Sequence, residues 1–426
     1  MPHKISGTKS ETARIIVLNE ADWSIESNTV VSGSGAYEML DVVSGTKTVI
    51  ARSEEGKIVG YGHTSSLSWQ YPGASFYGFG DNTYGVLAQD DTTNRSIPVQ
   101  IGEANVWKDT SCGPYHVLSI KADGTLWASG SNGNGQLGLG DTTSRSSLVQ
   151  VGTDTDWDTI DCGGDSTIAF KEDGSVWAWG NSNYNQLYGI GSGKCSSPIQ
   201  IGAVGVWSTM VVSGEGHTLG IKTDGTLWGW GRNMNGQVGV GTANNAVASP
   251  TQVGTQTDWI TAAVGFYHSL GVRSGGIGYG WGWNGYGQIG NNSRTMRSSP
   301  VQIGGGKVWN MVKASRNTAC GIDDNGSLWT WGRNNYGQLG INNIIDKSSP
   351  CQVGIGETWV DAASGQYHTI AIKSNGTLWS WGYGSNGQLG TGSTAHKSSP
   401  VQVGSDTDWG ITETEERTNF VIKAMV

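Results

Sequence analysis

A tetrapeptide that returns every 50 or 51 residues governs what this chain can fold into. Gly135-Gln136-Leu137-Gly138 recurs as Asn185-Gln186-Leu187-Tyr188, Gly236-Gln237-Val238-Gly239, Gly287-Gln288-Ile289-Gly290, Gly337-Gln338-Leu339-Gly340 and Gly387-Gln388-Leu389-Gly390, with a weaker first copy at Gly85-Val86-Leu87-Ala88. The successive offsets are 50, 50, 51, 51, 50 and 50 residues, so seven copies of one unit fill the chain from about residue 67 to residue 426. A fixed period of this length marks an array whose units bury their apolar faces against one another.

Within a unit the pattern is β. Asp224-Gly225 is a hairpin signal, and in the following Leu227-Trp228-Gly229-Trp230-Gly231 the tryptophans alternate with glycine at period two, as in a half-buried strand. Gly216-His217-Thr218-Leu219-Gly220-Ile221-Lys222 supplies the partner strand. Four short strands per unit, A to D, make a small antiparallel sheet that cannot bury both faces alone, and radial stacking of seven such sheets is a seven-bladed β-propeller. Glycine, 68 of 426 residues, is far too abundant for helix interiors, which excludes a helical bundle. The ends complement each other. The last unit supplies only A and B (Ile411 to Thr414 and Asn419 to Lys423), and the first begins with C (Ser75 to Gly80) and D (Ile97 to Ile101), so the two halves are expected to close one blade and remove the open edges.

The units read G-x-x-H-[ST]-x-x-[IL]-K-x-[DN]-G-[TS]-[LV]-W-x-W-G-x-N-x-x-G-Q-[LIV]-G, which resembles the repeats of the regulator of chromosome condensation family over about 360 of the 426 residues. The resemblance implies the same seven-bladed fold. Its functional implication is broad, because propellers of this type serve nucleotide exchange on the GTPase Ran, ultraviolet-B sensing in plants and inhibition of β-lactamases. Residues 1–66 lack the full unit. Ala13 to Asn19, Gly35 to Met39 and Lys47 to Arg52 read as strands, and Gly35-x-Tyr37 with Ser44-Gly45-x-x-Thr48-Val49-x-Ala51 resembles the prealbumin-like sandwich also found as carboxypeptidase regulatory-like modules, which act as anchors or spacers. A gapless alignment of Ser44–Gly62 with Ser364–Gly382 supports the competing reading of a degenerate half-unit. The expected organisation is thus all-β, with a small sandwich over 1–66 and the propeller over 67–426.

Charge works mainly by exclusion. With 26 Lys+Arg against 35 Asp+Glu the net charge is -9, and no basic run is present, so duplex nucleic acid is not an expected partner. No apolar stretch is long enough for a membrane span, and the N-terminus has no signal-peptide core. Cys112, Cys162, Cys195, Cys320 and Cys351 form no C-x-x-C pair and are expected to be reduced and buried.

Several periodic features suggest chemistry and resolve into structure. His116, His217, His268 and His368 share one slot, filled elsewhere by Ser166, Thr318 and Thr418; one per blade around a ring cannot converge on one ion, so a structural hydrogen bond is expected and no metal or cofactor. Seventeen of the twenty tryptophans fall into three periodic slots, as packing between blades demands, and Trp23, Trp69 and Trp283 fall outside them. The stretches matching the tryptophan motif of the plant photoreceptor, such as Phe266-Tyr267-His268 and Gln366-Tyr367-His368, contain no tryptophan. The basic slot Arg95, Arg145, Arg297, Lys347 and Lys397, with Lys194 displaced by one, is expected to tie down its own loop. No catalytic constellation is present, and no enzymatic activity is expected.

Variation between units is more informative. The B-to-C turns are nearly uniform, whereas the A-to-B and C-to-D loops, which emerge together on the opposite face, are not. Phe266, Tyr267 and Trp283 in one unit, Arg316 and Arg333 in the next, and Tyr367 and Tyr383 in the one after would form a contiguous aromatic and arginine patch, the composition of interface hot spots. The chain thus reads as a non-enzymatic binding protein. Its charge-poor Gly/Ser/Thr/Asn surface and the sandwich-propeller pairing suggest a bacteriophage virion component, a tail or capsid appendage whose partners are virion proteins or a host surface receptor. The alternatives are a cellular regulatory propeller of the exchange-factor or inhibitor kind, with cytoplasmic localisation, and a glycan-binding propeller.

Overall fold

The computed structural model describes residues 74–423, apart from 105, 203 and 213–215, with backbone alone at 209–212; before residue 74 it describes the backbone of six strands. Met1–Leu67 and Ser68–Val426 are separate compact units. In the first, Ile25–Val31, Ala13–Leu18, Thr48–Ser53 and Ile58–His63 are hydrogen-bonded in that order, and His3–Lys9 pairs with Gly35–Val42. Whether residues 1–66 form the expected sandwich or a half-unit turns on side chains outside the described residues.

The second unit is a ring of seven four-stranded antiparallel sheets among the described residues. Blades 1 to 6 begin their A strands at Trp107, Trp157, Trp207, Trp259, Trp309 and Trp359. Blade 5, for example, is Trp309–Ala314, Thr318–Asp323, Leu328–Gly332 and Lys347–Val353. Blade 7 takes Trp409–Glu415 and Thr418–Lys423 from the end of the chain and Ser75–Gly80 and Arg95–Ile101 from its beginning, with Thr418 opposite Gly80 and Lys423 opposite Ser75. The split blade expected from the sequence is therefore formed. Each A strand packs beside the A strands of its neighbours, and that of blade 7 packs beside that of blade 1, so the ring closes. No helix among the described residues is long and apolar enough to cross a membrane.

The repeat tetrapeptide and the tryptophans are two halves of one contact. Trp179, Trp230, Trp281, Trp331 and Trp381, all fully buried, donate from Nε1 to the backbone carbonyls of Gln136, Gln186, Gln237, Gln288 and Gln338 in the preceding blade at 2.8–2.9 Å. The glycine two residues after four of these five glutamines leaves the ring its space, and Tyr188 stands there after Gln186. A Cβ on Gly290, whose φ is +82°, would sit 2.7 Å from Trp331 Nε1. That is why Gly-Gln-x-Gly and Trp recur in phase: a larger residue in the loop would push the next blade away. Phe79 takes the tryptophan slot in the split blade, against Gly390.

One tryptophan slot departs from the expectation of inter-blade burial. Trp127, Trp177, Trp228, Trp329 and Trp379 are half-buried. Each lies under an ammonium group, for example Lys222 Nζ at 3.5 Å from the Trp228 ring centroid and Lys373 Nζ at 3.9 Å from that of Trp379. Trp127, Trp177, Trp228 and Trp379 donate from Nε1 to the hydroxyl two residues earlier in the B-to-C turn. These rings lie towards the turn face, where a cation and a hydroxyl are close enough to satisfy an aromatic ring with a polar edge.

Candidate functional site

The variable C-to-D loops of blades 4 and 5 are held by the repeat's Asn and Gln side chains. In the C-to-D loop of blade 4, Asn284 Oδ1 accepts from Ile289 N at 2.9 Å while its Nδ2 donates to Ser293 O at 2.8 Å, and Gln288 Oε1 accepts from Tyr286 N at 3.0 Å. Blade 5 repeats this with Asn334 and Gln338, which accept from Leu339 N at 2.9 Å and Tyr336 N at 2.8 Å. A backbone bond then ties each C-to-D loop to its own A-to-B loop: Trp283 N to Tyr267 O at 2.8 Å, Arg333 N to Asn317 O at 3.0 Å and Tyr383 N to Tyr367 O at 2.8 Å. The variable side chains thus stand on a pinned frame, as a preorganised site requires.

Six of the seven residues singled out from the sequence converge. Phe266, Tyr267, Trp283, Arg316, Arg333 and Tyr367, all half-buried, line one groove of about 280 Å³. Tyr383 does not line it. It stands behind, against Tyr336 at 4.9 Å and His396 at 4.6 Å between ring centroids, and Tyr336 in turn meets Tyr367 at 5.1 Å. Three further lining residues, Asn235, Tyr286 and Asn317, were not legible as site residues. Tyr286 carried a signal of the same kind as the others: its slot, two before the repeat glutamine, reads Asn134, Tyr184, Asn235, Tyr286, Tyr336 and Asn386.

Arginines order the aromatic walls. The Arg316 guanidinium lies 3.9 Å from the Phe266 centroid and is paired with Glu416, and Gln366, with its amide turned to satisfy both neighbours, donates to Glu416 Oε2 at 2.5 Å and accepts from Arg316 Nε at 3.0 Å. Arg333 lies between Tyr286 and Tyr367, at 4.9 and 5.4 Å. Arg232 lies over Tyr184 and Tyr267, at 5.0 and 4.8 Å. Towards the ring axis, Lys313 Nζ meets Asp361 Oδ1 at 3.3 Å and Glu413 Oε1 at 3.6 Å. Burial pushes the Glu415 carboxyl up to about 8, helped by the neighbouring Glu416, and burial likewise raises Asp109 to about 8.

The histidine slot is structural at three of its four positions. His116, His217, His268 and His368 are fully buried, and burial holds the first three down to about 3 and His368 to about 4. Nε2 of His116 meets Thr167 Oγ1 at 3.4 Å, that of His217 meets Ser269 Oγ at 2.8 Å, and that of His368 meets Asn419 Oδ1 at 2.6 Å, each in the next blade. At blade 5 the corresponding residue is Ala319, and neither ring nitrogen of His268 has a partner among the described residues. Ala319→Ser is therefore expected to stabilise the protein by about 0.5–1.5 kcal/mol, read as a higher calorimetric melting temperature, because Ser269 in the equivalent place bonds both His217 and Gln237 O. An unchanged or lower melting temperature would count against this latch.

The basic slot is local at Arg95 and Arg145 but not at Lys194, which donates to Gly133 O in the preceding blade at 3.1 Å. Arg95 and Arg145 bind Asp91 and Asp141 of their own loops at 2.7 and 2.6 Å. All five cysteines are free thiols, but only Cys112, Cys162 and Cys320 are buried; Cys195 and Cys351 lie on D strands, the outer edge of each blade, and are half-exposed, contrary to the expectation. No cluster of three His, Cys, Asp or Glu suited to a metal ion occurs among the described residues.

Comparison with known proteins agrees with the architecture. The model of the regulator of chromosome condensation (RCC1) repeat matches residues 75–120, 123–170, 173–221, 224–272, 325–372 and 375–413. The chain is 36% identical over 88 residues to the ultraviolet-B receptor UVR8 of Arabidopsis thaliana, covering 20% of each protein. It is 40% identical over 88 residues to the protein RCC2 homolog of Danio rerio, covering 20% of this chain and 18% of that one. These matches span a fifth or less of the relatives' own length. Among solved structures, Prp20p from Saccharomyces cerevisiae, described with binding properties to Gsp1p and histones, superposes with a TM-score of 0.71 at 16% identity, over 85% of this chain and 93% of that one.

Proposed function

The chain belongs to the regulator of chromosome condensation (RCC1) repeat family, and from that premise we propose that it is a non-enzymatic, protein-binding propeller of cellular regulation whose docking surface is the groove over blades 4 to 6. One observation carries this reading. Six half-buried aromatic and arginine side chains from three successive blades, in slots where the repeat is otherwise free to vary, stand around a single groove on a pinned frame. Aromatic residues and arginine are the side chains that anchor protein interfaces, because they offer large rigid surfaces with a polar edge. The plant, animal and yeast relatives favour the cellular reading over the virion appendage, which rests on surface composition and on the pairing of a sandwich with the propeller, and they give no support to a glycan partner. Ultraviolet-B reception is not favoured either. Among the described residues nine tryptophans are fully buried in the core, and Phe266 and Gln366 stand where the photoreceptor motif has tryptophan.

The test is a double substitution, Trp283→Ala with Tyr367→Ala, assayed by quantitative capture of partners from the native source. Loss of two anchors of about 2 kcal/mol each is expected to weaken capture by at least 30-fold, with the melting temperature little changed because both side chains are half-exposed. Undiminished capture by a folded double variant would place the docking surface elsewhere.

A further inference from the structure

The two arginines of the groove differ in what they still lack. Arg316 is satisfied within the chain, by Glu416, by Gln366 and by the face of Phe266. Arg333 is not. Tyr286 and Tyr367 cover its guanidinium, and no carboxylate is paired with it among the described residues. Rings over a guanidinium strip water from its faces but leave the N–H edge free, and that edge is the part that binds a planar oxyanion through two parallel hydrogen bonds. A cation partly desolvated in this way gains more from a counter-ion than one in open water. The surroundings point the same way. The chain carries a net charge of -9, yet the groove is lined by two arginines and no acidic residue.

Resting on the reading of the groove as a docking site, we propose that Arg333 is the receptor for a carboxylate, and that the partner presents an acidic peptide segment. An Asp or Glu side chain meets the Arg333 edge, and a neighbouring apolar side chain packs on Trp283 and Tyr286, whose rings meet edge to face at 5.1 Å. Asn235 and Asn317, also in the wall, offer amides to the segment's backbone. A carboxylate fits better than a phosphate, because one unpaired guanidinium matches one negative charge, whereas a phosphoryl group carries nearly two and Arg316 is already engaged. A neutral glycan would leave Arg333 without a counter-ion.

The experiment is selection of a random-sequence displayed peptide library on the full chain, followed by anisotropy titration of fluorescein-labelled synthetic copies of the recovered peptides. Recovered peptides are expected to carry Asp or Glu beside an apolar residue. Arg333→Gln should weaken their binding about 30-fold, and replacing the peptide acid by its amide should do the same, without a further loss when the two changes are combined. Arg333→Lys should recover only part of the affinity, because an ammonium cannot bond bidentately. Peptides that need Trp283 but bind Arg333→Gln as tightly as the unsubstituted chain would overturn the carboxylate receptor and leave the docking groove standing. Tighter binding when the peptide acid is replaced by phosphoserine would overturn the choice of carboxylate. Recovery of no peptide whose binding depends on Trp283 would overturn the docking groove itself, and the receptor with it.

Discussion

A chain ending at Thr418 is expected to lose cooperative folding of the whole propeller, although it lacks only eight of 426 residues. The deleted segment is most of the strand that joins the two ends of the chain in blade 7. Phe420, Val421 and Ile422 are buried to within 3% of completely, and Phe420 stacks on Phe76 with centroids 5.2 Å apart. At about 1.5–3 kcal/mol per buried side chain, their loss alone approaches the 5–15 kcal/mol that holds a typical domain together. Two blade-to-blade bonds go with them, Asn419 Nδ2 to Gln388 O at 2.8 Å and Asn419 Oδ1 to His368 Nε2 at 2.6 Å. The strand Ser75–Gly80 would then be unpaired on one side and the ring open. Calorimetry should show no sharp transition, or one shifted down by more than 10 °C on the scale of about 2–4 °C per kcal/mol for a domain of this size. A truncated chain that melts like the full one would mean that the ring does not depend on this strand.

The second large effect is a stability optimum near pH 6.5 with a steep acid limb. The four buried histidines bind protons near pH 6.5 when unfolded but only at about 3 to 4 when folded, so below pH 6.5 the unfolded chain holds more protons and stability falls as pH falls. Each contributes about 1.4 kcal/mol per pH unit. Asp109 and Glu415 act in the opposite sense. Raised by burial to about 8, they keep their protons when folded and lose them when unfolded, so they stabilise the fold as pH falls towards 4 and cost stability as it rises to 8. Glu413, also raised, adds to that sense. Four groups against two or three leave a net slope of about 1–3 kcal/mol per pH unit between pH 6.5 and 4.5, and the carboxyls, unopposed above pH 6.5, give a decline of similar steepness up to about pH 8. Denaturant midpoints measured from pH 4.5 to 8 would show it. His268→Gln, at the one slot whose imidazole has no partner to lose, should flatten the acid limb by about half or more, because one histidine of four is removed from a net of one or two groups; an unchanged limb would exclude the histidines as its cause.

Much of this architecture is legible in the sequence. The period of Gly-Gln-x-Gly and the alternation of tryptophan with small residues required a radial array of β-blades, and the incomplete first and last units required them to share one, because an unclosed ring exposes strand edges. The same internal comparison marked six groove residues, since a repeat reveals which slots packing does not constrain. What it could not reveal lies between slots. The near-invariance of the glycine after Gln288 follows from the approach of Trp331 in the next blade, a contact 43 residues away in sequence. The half-exposed outer tryptophans share a sequence pattern with the buried ones two residues on, and the two classes differ in the bond that each indole N–H makes in space, to a turn hydroxyl for Trp228 and Trp379 and to a carbonyl of the preceding blade for Trp230 and Trp381. Composition likewise pointed to a virion surface, but surface polarity reports solubility rather than partner.

The sequence by itself therefore determined the blade, its number and its closure, because those depend on local periodicity and on satisfying every strand edge. Only the folded ring separates the two groove arginines, leaving Arg333 without a carboxylate partner among the described residues. Arg316 and Arg333 are equally plausible ligands in the sequence, and the difference arises because the ring brings Glu416, 100 residues away, to one of them and only aromatic rings to the other. Charge pairing depends on distances of a few ångströms, and the chain does not set those until the ring is closed.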